Sequence, residues 1–143
     1  MGRVGLLEDN ARIARLCATM LQFAGHSVIV YEHPRECLEA LMPSAAMIDR
    51  RSPTHLLPSL SALPIEVLIL DLQLPEIPGT EVLQCLQSHP QTRNLPLIFC
   101  TASNSSEVAN ALRIAPQASV VEKPFKLQAL ASAVLAALNS QNR

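Results

Sequence analysis

Short, continuous apolar runs alternate with segments in which apolar residues recur every three to four positions, and the alternation repeats along most of the chain. A run such as Ile65-Glu66-Val67-Leu68-Ile69-Leu70 suits a strand buried on both faces, and a helix between consecutive strands lets them run parallel. The spacing predicts strands over Val4 to Glu8, Ser27 to Tyr31, Ile65 to Leu70, Leu95 to Cys100 and Ala118 to Val121. Helices are expected over Asn10 to Ala24, Pro34 to Met42, Thr80 to Ser88, Ser103 to Ala115 and Leu127 to Leu138. The first helix carries Ile13, Leu16, Cys17, Met20 and Leu21 on one face and stops at Gly25. The last carries Leu127, Leu130, Ala131, Val134, Leu135 and Leu138 on one stripe. Pro34 suits the first turn of its helix, and Asn104 or a neighbouring Ser can cap the fourth. Strict alternation gives the α/β class, a doubly wound parallel sheet of five strands with five helices.

At 143 residues, the chain fits one domain of residues 1–143 with a sizeable core. Aromatic residues make up only 3% of it, so Leu, Val, Ile and Ala must build that core. A net charge of -1 leaves no basic footprint for nucleic acid. No stretch has the roughly eighteen apolar residues of a membrane span, and no signal peptide opens the chain, so a cytoplasmic protein is expected. Cys17, Cys37, Cys85 and Cys100 lack metal-ligand spacing and read as buried free thiols. His26, His33, His55 and His89 fall in turns or at element ends and read as solvated.

One region breaks the rhythm. Pro43 to Pro64 is longer than a usual connection, rich in Ser, Pro and Leu, and reads as an atypical insertion with packed local structure. Arg50 and Arg51 within it read as solvated surface. Asp49 also ends a short apolar run, but no Pro- and Gly-punctuated turn follows it. The contrast is with Asp71, which ends the Ile65 to Leu70 run and leads into Leu72-Gln73-Leu74-Pro75-Glu76-Ile77-Pro78-Gly79.

Doubly wound sheets place their sites at the carboxyl ends of strands. Here those ends offer Glu8 and Asp9, Asp71, Thr101 and Lys123. Carboxylates converging there repel one another by about 4 kcal/mol per pair at about 4 Å if the effective dielectric is about 20. A cation must offset that repulsion, and a hard divalent ion with oxygen ligands suits a shallow site. Taken singly, Glu8-Asp9 could instead cap the following helix, and Thr101 or Lys123 could be structural or surface residues.

Together, Glu8-Asp9, Asp71 with its Pro75 to Gly79 turn, Thr101 and Lys123-Pro124-Phe125 resemble the response-regulator receiver domain of two-component signalling. Thr101 stands thirty residues after Asp71, and Lys123 twenty-two after Thr101, as is usual in that family. The resemblance implies the flavodoxin-like strand order 2-1-3-4-5 and a Mg²⁺ site of Asp9, Asp71, Glu8 and the Gln73 carbonyl. It implies that Asp71 accepts a phosphoryl group from a sensor histidine kinase or phosphotransfer protein, with Lys123 and Thr101 meeting the phosphoryl oxygens. A cis Lys123-Pro124 bond and a downstream protein partner belong to the same expectation. No separate enzyme activity, nucleic-acid contact or membrane contact is expected of this domain.

The chain departs from the family pattern at Val120, where Tyr or Phe is common, so no rotating aromatic can report the switch. Gln73 and Ser103 hold positions that flank the phosphoryl group. Two other function classes compete: an Asp-nucleophile phosphohydrolase, and a phosphorylation-independent interaction module. Haloacid-dehalogenase-like enzymes carry a second acid where Gln73 stands, and the intact acidic and basic set argues against the bare module. No output domain is expected after the last helix, which leaves open a free-standing receiver or a piece of a larger regulator. The Ala-rich outer side of that helix (Ala129, Ala133, Ala136, Ala137) would permit homodimer packing.

Overall fold

The computed structural model describes residues 2–41, 63–74, 78–102, 105–123 and 126–141. They form, in chain order, β1 (Arg3–Leu7), α1 (Ala11–Phe23), β2 (Ser27–Tyr31), α2 (Pro34–Leu41), β3 (Val67–Asp71), α3 (Gly79–Ser88), β4 (Leu97–Thr101), α4 (Ser105–Ile114), β5 (Ser119–Glu122) and α5 (Leu127–Gln141). All the strands pair in parallel, in the order β2-β1-β3-β4-β5. That is the expected doubly wound sheet with the expected order, and the switch point lies between β1 and β3, where the chain reverses its winding direction.

Two apolar layers hold the helices to the sheet. Val4, Leu6, Val67, Ile69, Ile98 and Cys100 face one way and pack with Ala14, Cys17 and Leu21 of α1 and Leu130 and Val134 of α5. Leu7, Leu68, Leu70 and Phe99 face the other way and meet Cys37 and Leu41 of α2, Val82, Leu83 and Leu86 of α3, and Ala111 of α4. Alternate residues of each strand serve opposite layers, which is why β3 and β4 are buried at every position. Gly25 ends α1 with φ 99°, a left-handed conformation that glycine adopts without a Cβ clash.

The expected elements are found with ends displaced by one to three residues, the largest at the end of α5, and several expected environments differ. Leu16 lies on the predicted apolar face of α1 but is 53% exposed, and Leu127 and Leu135 of the α5 stripe are 41% and 51% exposed. Each helix rests on the sheet along one narrow line, Ala14-Cys17-Leu21 or Leu130-Val134, so residues on the flanks of the stripe remain at the surface. Ala133 and Ala137 pack inward beside Leu130 and Val134, which leaves Ala129 and Ala136 of the four alanines facing out. Cys85 is exposed on α3, against the expectation of a buried thiol, while the other three cysteines are buried. His26 is buried rather than solvated, and its Nδ1 accepts the Gly2 N–H at 3.1 Å. Asp49, Arg50, Arg51, His55 and most of the Pro43 to Pro64 insertion lie outside the described residues, as do Ser103, Asn104 and the Pro124 side of the Lys123-Pro124 bond.

Candidate functional site

The carboxyl ends of β1 and β3 lie side by side, Leu7 opposite Leu70, so the next residues of both strands emerge at one point of the sheet edge. Glu8 follows β1, and its N–H donates to the Tyr31 carbonyl at 3.1 Å, adding one rung to the β1–β2 ladder. Asp71 is the last residue of β3, and the following Leu72 N–H donates to the Cys100 carbonyl at 3.1 Å. Thr101 ends β4, and its carbonyl accepts the Lys123 N–H at 2.9 Å, just past β5. The main-chain ladder thus brings Glu8, Asp71, Thr101 and Lys123 to the same sheet edge.

Glu8 and Asp71 are almost fully buried, and Lys123 joins them. Its Nζ donates to Glu8 Oε1 at 2.9 Å and to Asp71 Oδ2 at 3.1 Å. The second oxygen of each carboxylate is held by the main-chain N–H two residues further on. Asn10 N–H donates to Glu8 Oε2 at 3.3 Å, and Gln73 N–H to Asp71 Oδ1 at 2.9 Å. Gln73 itself is exposed, in the turn after β3. Asp9 is exposed, yet one carboxylate oxygen from each of Glu8, Asp9 and Asp71 lies within 4.8 Å of the others.

Among the described residues, three carboxylates and a single ammonium make this a charge-rich, incompletely neutralised pocket. The Glu8 carboxyl is pushed up to about 7, chiefly by burial and by a hydrogen bond to Asp71 that favours the protonated form, with Lys123 pulling the other way. Burial works against the charge of Lys123, but Glu8 and Asp71 outweigh it and hold the ammonium above its usual range. An all-oxygen donor set carrying more negative charge than Lys123 cancels fits a hard divalent cation, which would favour ionised Glu8. Thr101 adds a second open valence: its hydroxyl is buried and has no hydrogen-bond partner among the described residues. Such a group costs about 1–3 kcal/mol unless something polar arrives to meet it.

The structure also assigns a role that the periodicity conceals. Asn10, expected inside the first helix, is instead its N-cap, with Oδ1 accepting from Arg12 N–H at 3.0 Å and Ile13 N–H at 3.2 Å. The signal was present, since an Asn just ahead of an apolar-periodic run marks a helix start. Glu8 and Asp9 therefore do not cap α1. Val120 is 38% exposed on β5, on the opposite face of that strand from the buried Val121.

A model of the response regulator receiver domain matches residues 4–135, and the chain belongs to that family, the receivers of two-component systems. Among curated proteins it is similar to the uncharacterized transcriptional regulatory protein YkoG of Bacillus subtilis, 28% identical over 139 residues. That alignment covers 96% of this chain and 51% of YkoG, so the chain spans about half the length of this relative. Among solved structures it resembles a putative response regulator from Chloroflexus aurantiacus, with TM-score 0.77, 22% identity, and coverage of 96% of this chain and 98% of that one. It also resembles the chemotaxis protein CheY4 of Vibrio cholerae, with TM-score 0.75, 20% identity, and coverage of 96% and 99%. At these identities the structural likeness speaks for the fold.

Proposed function

We propose that this chain is a phosphorylation-driven switch of a single domain, residues 1–143, in which Asp71 accepts a phosphoryl group from a histidine kinase or phosphotransfer protein. The observation that carries the reading is Lys123 Nζ bridging Asp71 and Glu8 at 3.1 and 2.9 Å within a cluster of three carboxylates. A structural ion pair needs one acid for one base. Among the described residues this site carries two acids beyond that, beside a buried hydroxyl with no partner.

In the proposed reaction an oxygen of Asp71 attacks the phosphorus in line. An O–P bond forms as the P–N bond to the donor histidine breaks, and the departing imidazole keeps the electron pair. The reaction is mostly positioning and electrostatics. Asp71 is aimed by the Gln73 N–H on Oδ1 and by Lys123 on Oδ2. Lys123 has a third N–H to offer an equatorial phosphoryl oxygen, and the Thr101 hydroxyl would gain its missing partner from the same group. Glu8, Asp9 and Asp71, with the Gln73 carbonyl implied by the family pattern, would hold Mg²⁺. When bound, that ion neutralises charge on the transferring group. The product is an aspartyl phosphate, and the chain performs no turnover on a separate substrate.

The reading extends to a cytoplasmic protein whose partner recognises the altered surface around β4, β5 and the last two helices, with homodimer packing along α5. Among the described residues no helix is long and apolar enough to cross a membrane. With Val120 at the usual aromatic position, the signal would travel through the backbone after β4 rather than through a swinging ring. The test is incubation with Mg²⁺ and a small acyl phosphate. Intact-protein mass spectrometry should find one added phosphoryl group on wild type and none on Asp71→Asn. An unlabelled wild type, under conditions that saturate a known receiver, would overturn the proposal.

A further inference from the structure

We propose that Asn10 is a positioning residue for the acidic pair, setting the site's affinity for a divalent cation through the turn that carries Glu8 and Asp9. This rests on the metal reading given above.

Three bonds from α1 converge on this one residue. Its Oδ1 takes the N–H groups of Arg12 and Ile13, at 3.0 and 3.2 Å, and its carbonyl takes that of Ala14 at 2.9 Å. Of the first four N–H groups of the helix, which have no partner inside it, those of Arg12 and Ile13 end on the Asn10 side chain, and the Asn10 carbonyl takes the first main-chain bond of the helix. A fourth bond runs the other way: Asn10 N–H donates to Glu8 Oε2 at 3.3 Å, while Lys123 holds Oε1. Asn10 is thus locked to the helix on one side and to a buried carboxylate on the other.

Asp9 sits between the two anchors. Before it, the Glu8 N–H is fixed to the Tyr31 carbonyl. After it, the cap fixes Asn10 with φ -82° and ψ 111°. The exposed Asp9 side chain has no burial of its own to orient it, so its place within 4.8 Å of Glu8 and Asp71 depends on the peptide units that flank it. There is no acidic residue in the first turn of α1, and the partial positive charge of the helix start is left for the carboxylates just ahead of it. Loosening the cap would free the Glu8-Asp9 turn, release Glu8 Oε2 and lower the cost of leaving the metal-binding arrangement.

Three variants separate positioning from stability. Asn10→Ala removes the cap and is expected to lower both the melting temperature and metal affinity. Asn10→Gly leaves the first helical N–H groups open to water, so the helix stays near wild-type stability, but the turn gains backbone freedom. Asn10→Ser restores a side-chain oxygen at the cap. The measurements are Mg²⁺ titration calorimetry and, without divalent ions, thermal unfolding. Asn10→Gly should melt near wild type yet bind Mg²⁺ about tenfold more weakly, the size of loss typical of outer-shell supports, and Asn10→Ser should recover most of the affinity. Wild-type Mg²⁺ affinity in Asn10→Gly, or no recovery in Asn10→Ser, would overturn the inference while leaving the metal site standing. A wild type that binds no Mg²⁺ would remove the metal reading and this inference with it.

Discussion

The Glu8→Gln substitution should stabilise the metal-free protein at alkaline pH and do little at acid pH. Glu8 is 2% exposed and its carboxyl titrates at about 7 instead of 4.5. At about 1.4 kcal/mol per pH unit, the ionised form in the folded chain is therefore disfavoured by about 3 kcal/mol relative to the unfolded chain. The sign follows from linkage: between pH 4.5 and about 7 the folded state holds a proton that the unfolded state has released, so stability falls as pH rises through that window. Gln resembles the protonated carboxyl, with an oxygen for Lys123 and an N–H that can reach Asp71, and it cannot ionise. Most of the gain, about 2 kcal/mol, should open between pH 5 and pH 8. In urea unfolding with a chelator present, that is a midpoint about 1 M higher than wild type at pH 8. Mg²⁺ should narrow the gap by stabilising wild type more than the variant. An equal offset at both pH values would show that Glu8 is not held in an unfavourable ionised state, and the electrostatic account of the pocket would fail.

Thr101→Val removes a buried hydroxyl that has no partner among the described residues while keeping its shape. It should leave the unphosphorylated chain as stable as wild type or about 1 kcal/mol more so, yet slow acyl-phosphate labelling about tenfold or more; a clear loss of stability in thermal melts would mean the hydroxyl already has a partner. In Gly79→Ala the new Cβ would stand 2.9 Å from Leu72 Cα and 3.0 Å from Leu72 O, main-chain atoms that cannot swing aside. A loss of about 1–3 kcal/mol by denaturant unfolding is expected, and unchanged stability would refute the close approach. For His26, burial pushes the imidazole down from 6.5, and the neutral ring is needed to accept the Gly2 N–H. Stability from His26 is therefore present above about pH 6.5 and lost as pH falls below it, so the gap between wild type and His26→Gln should shrink on acidification; a gap constant from pH 8 to pH 5 would rule this out.

Much of the site was legible in the chain because parallel sheets convert one-dimensional position into place. A residue that ends an apolar run must emerge at a strand's carboxyl end, and β1 and β3 are neighbours in this topology. Glu8, Asp71, Thr101 and Lys123 could thus be expected together before any distance was known. What the pattern alone could not supply was the strand order, which came from the family resemblance, since apolar periodicity is the same for every permutation of buried strands. Nor could it tell that Leu16 and Leu135 lie outside the line along which their helices touch the sheet, because a stripe of 3.6-residue period is wider than the contact it makes.

By itself the sequence determined the α/β class, the five strands and five helices found among the described residues, and the kinds of side chain available at the sheet edge. These rest on local periodicity and turn chemistry, which each segment carries wherever it is placed. Only the tertiary structure decided that Lys123, 115 residues from Glu8 along the chain, bridges it to Asp71. The same holds for the Glu8 carboxyl's shift to about 7, for the burial of the Thr101 hydroxyl, and for the link from the α1 cap through Asn10 to a buried carboxylate. Such properties depend on burial and on distances of about 3 Å between groups far apart in sequence, and those are fixed only when the sheet closes and its two helical layers exclude water.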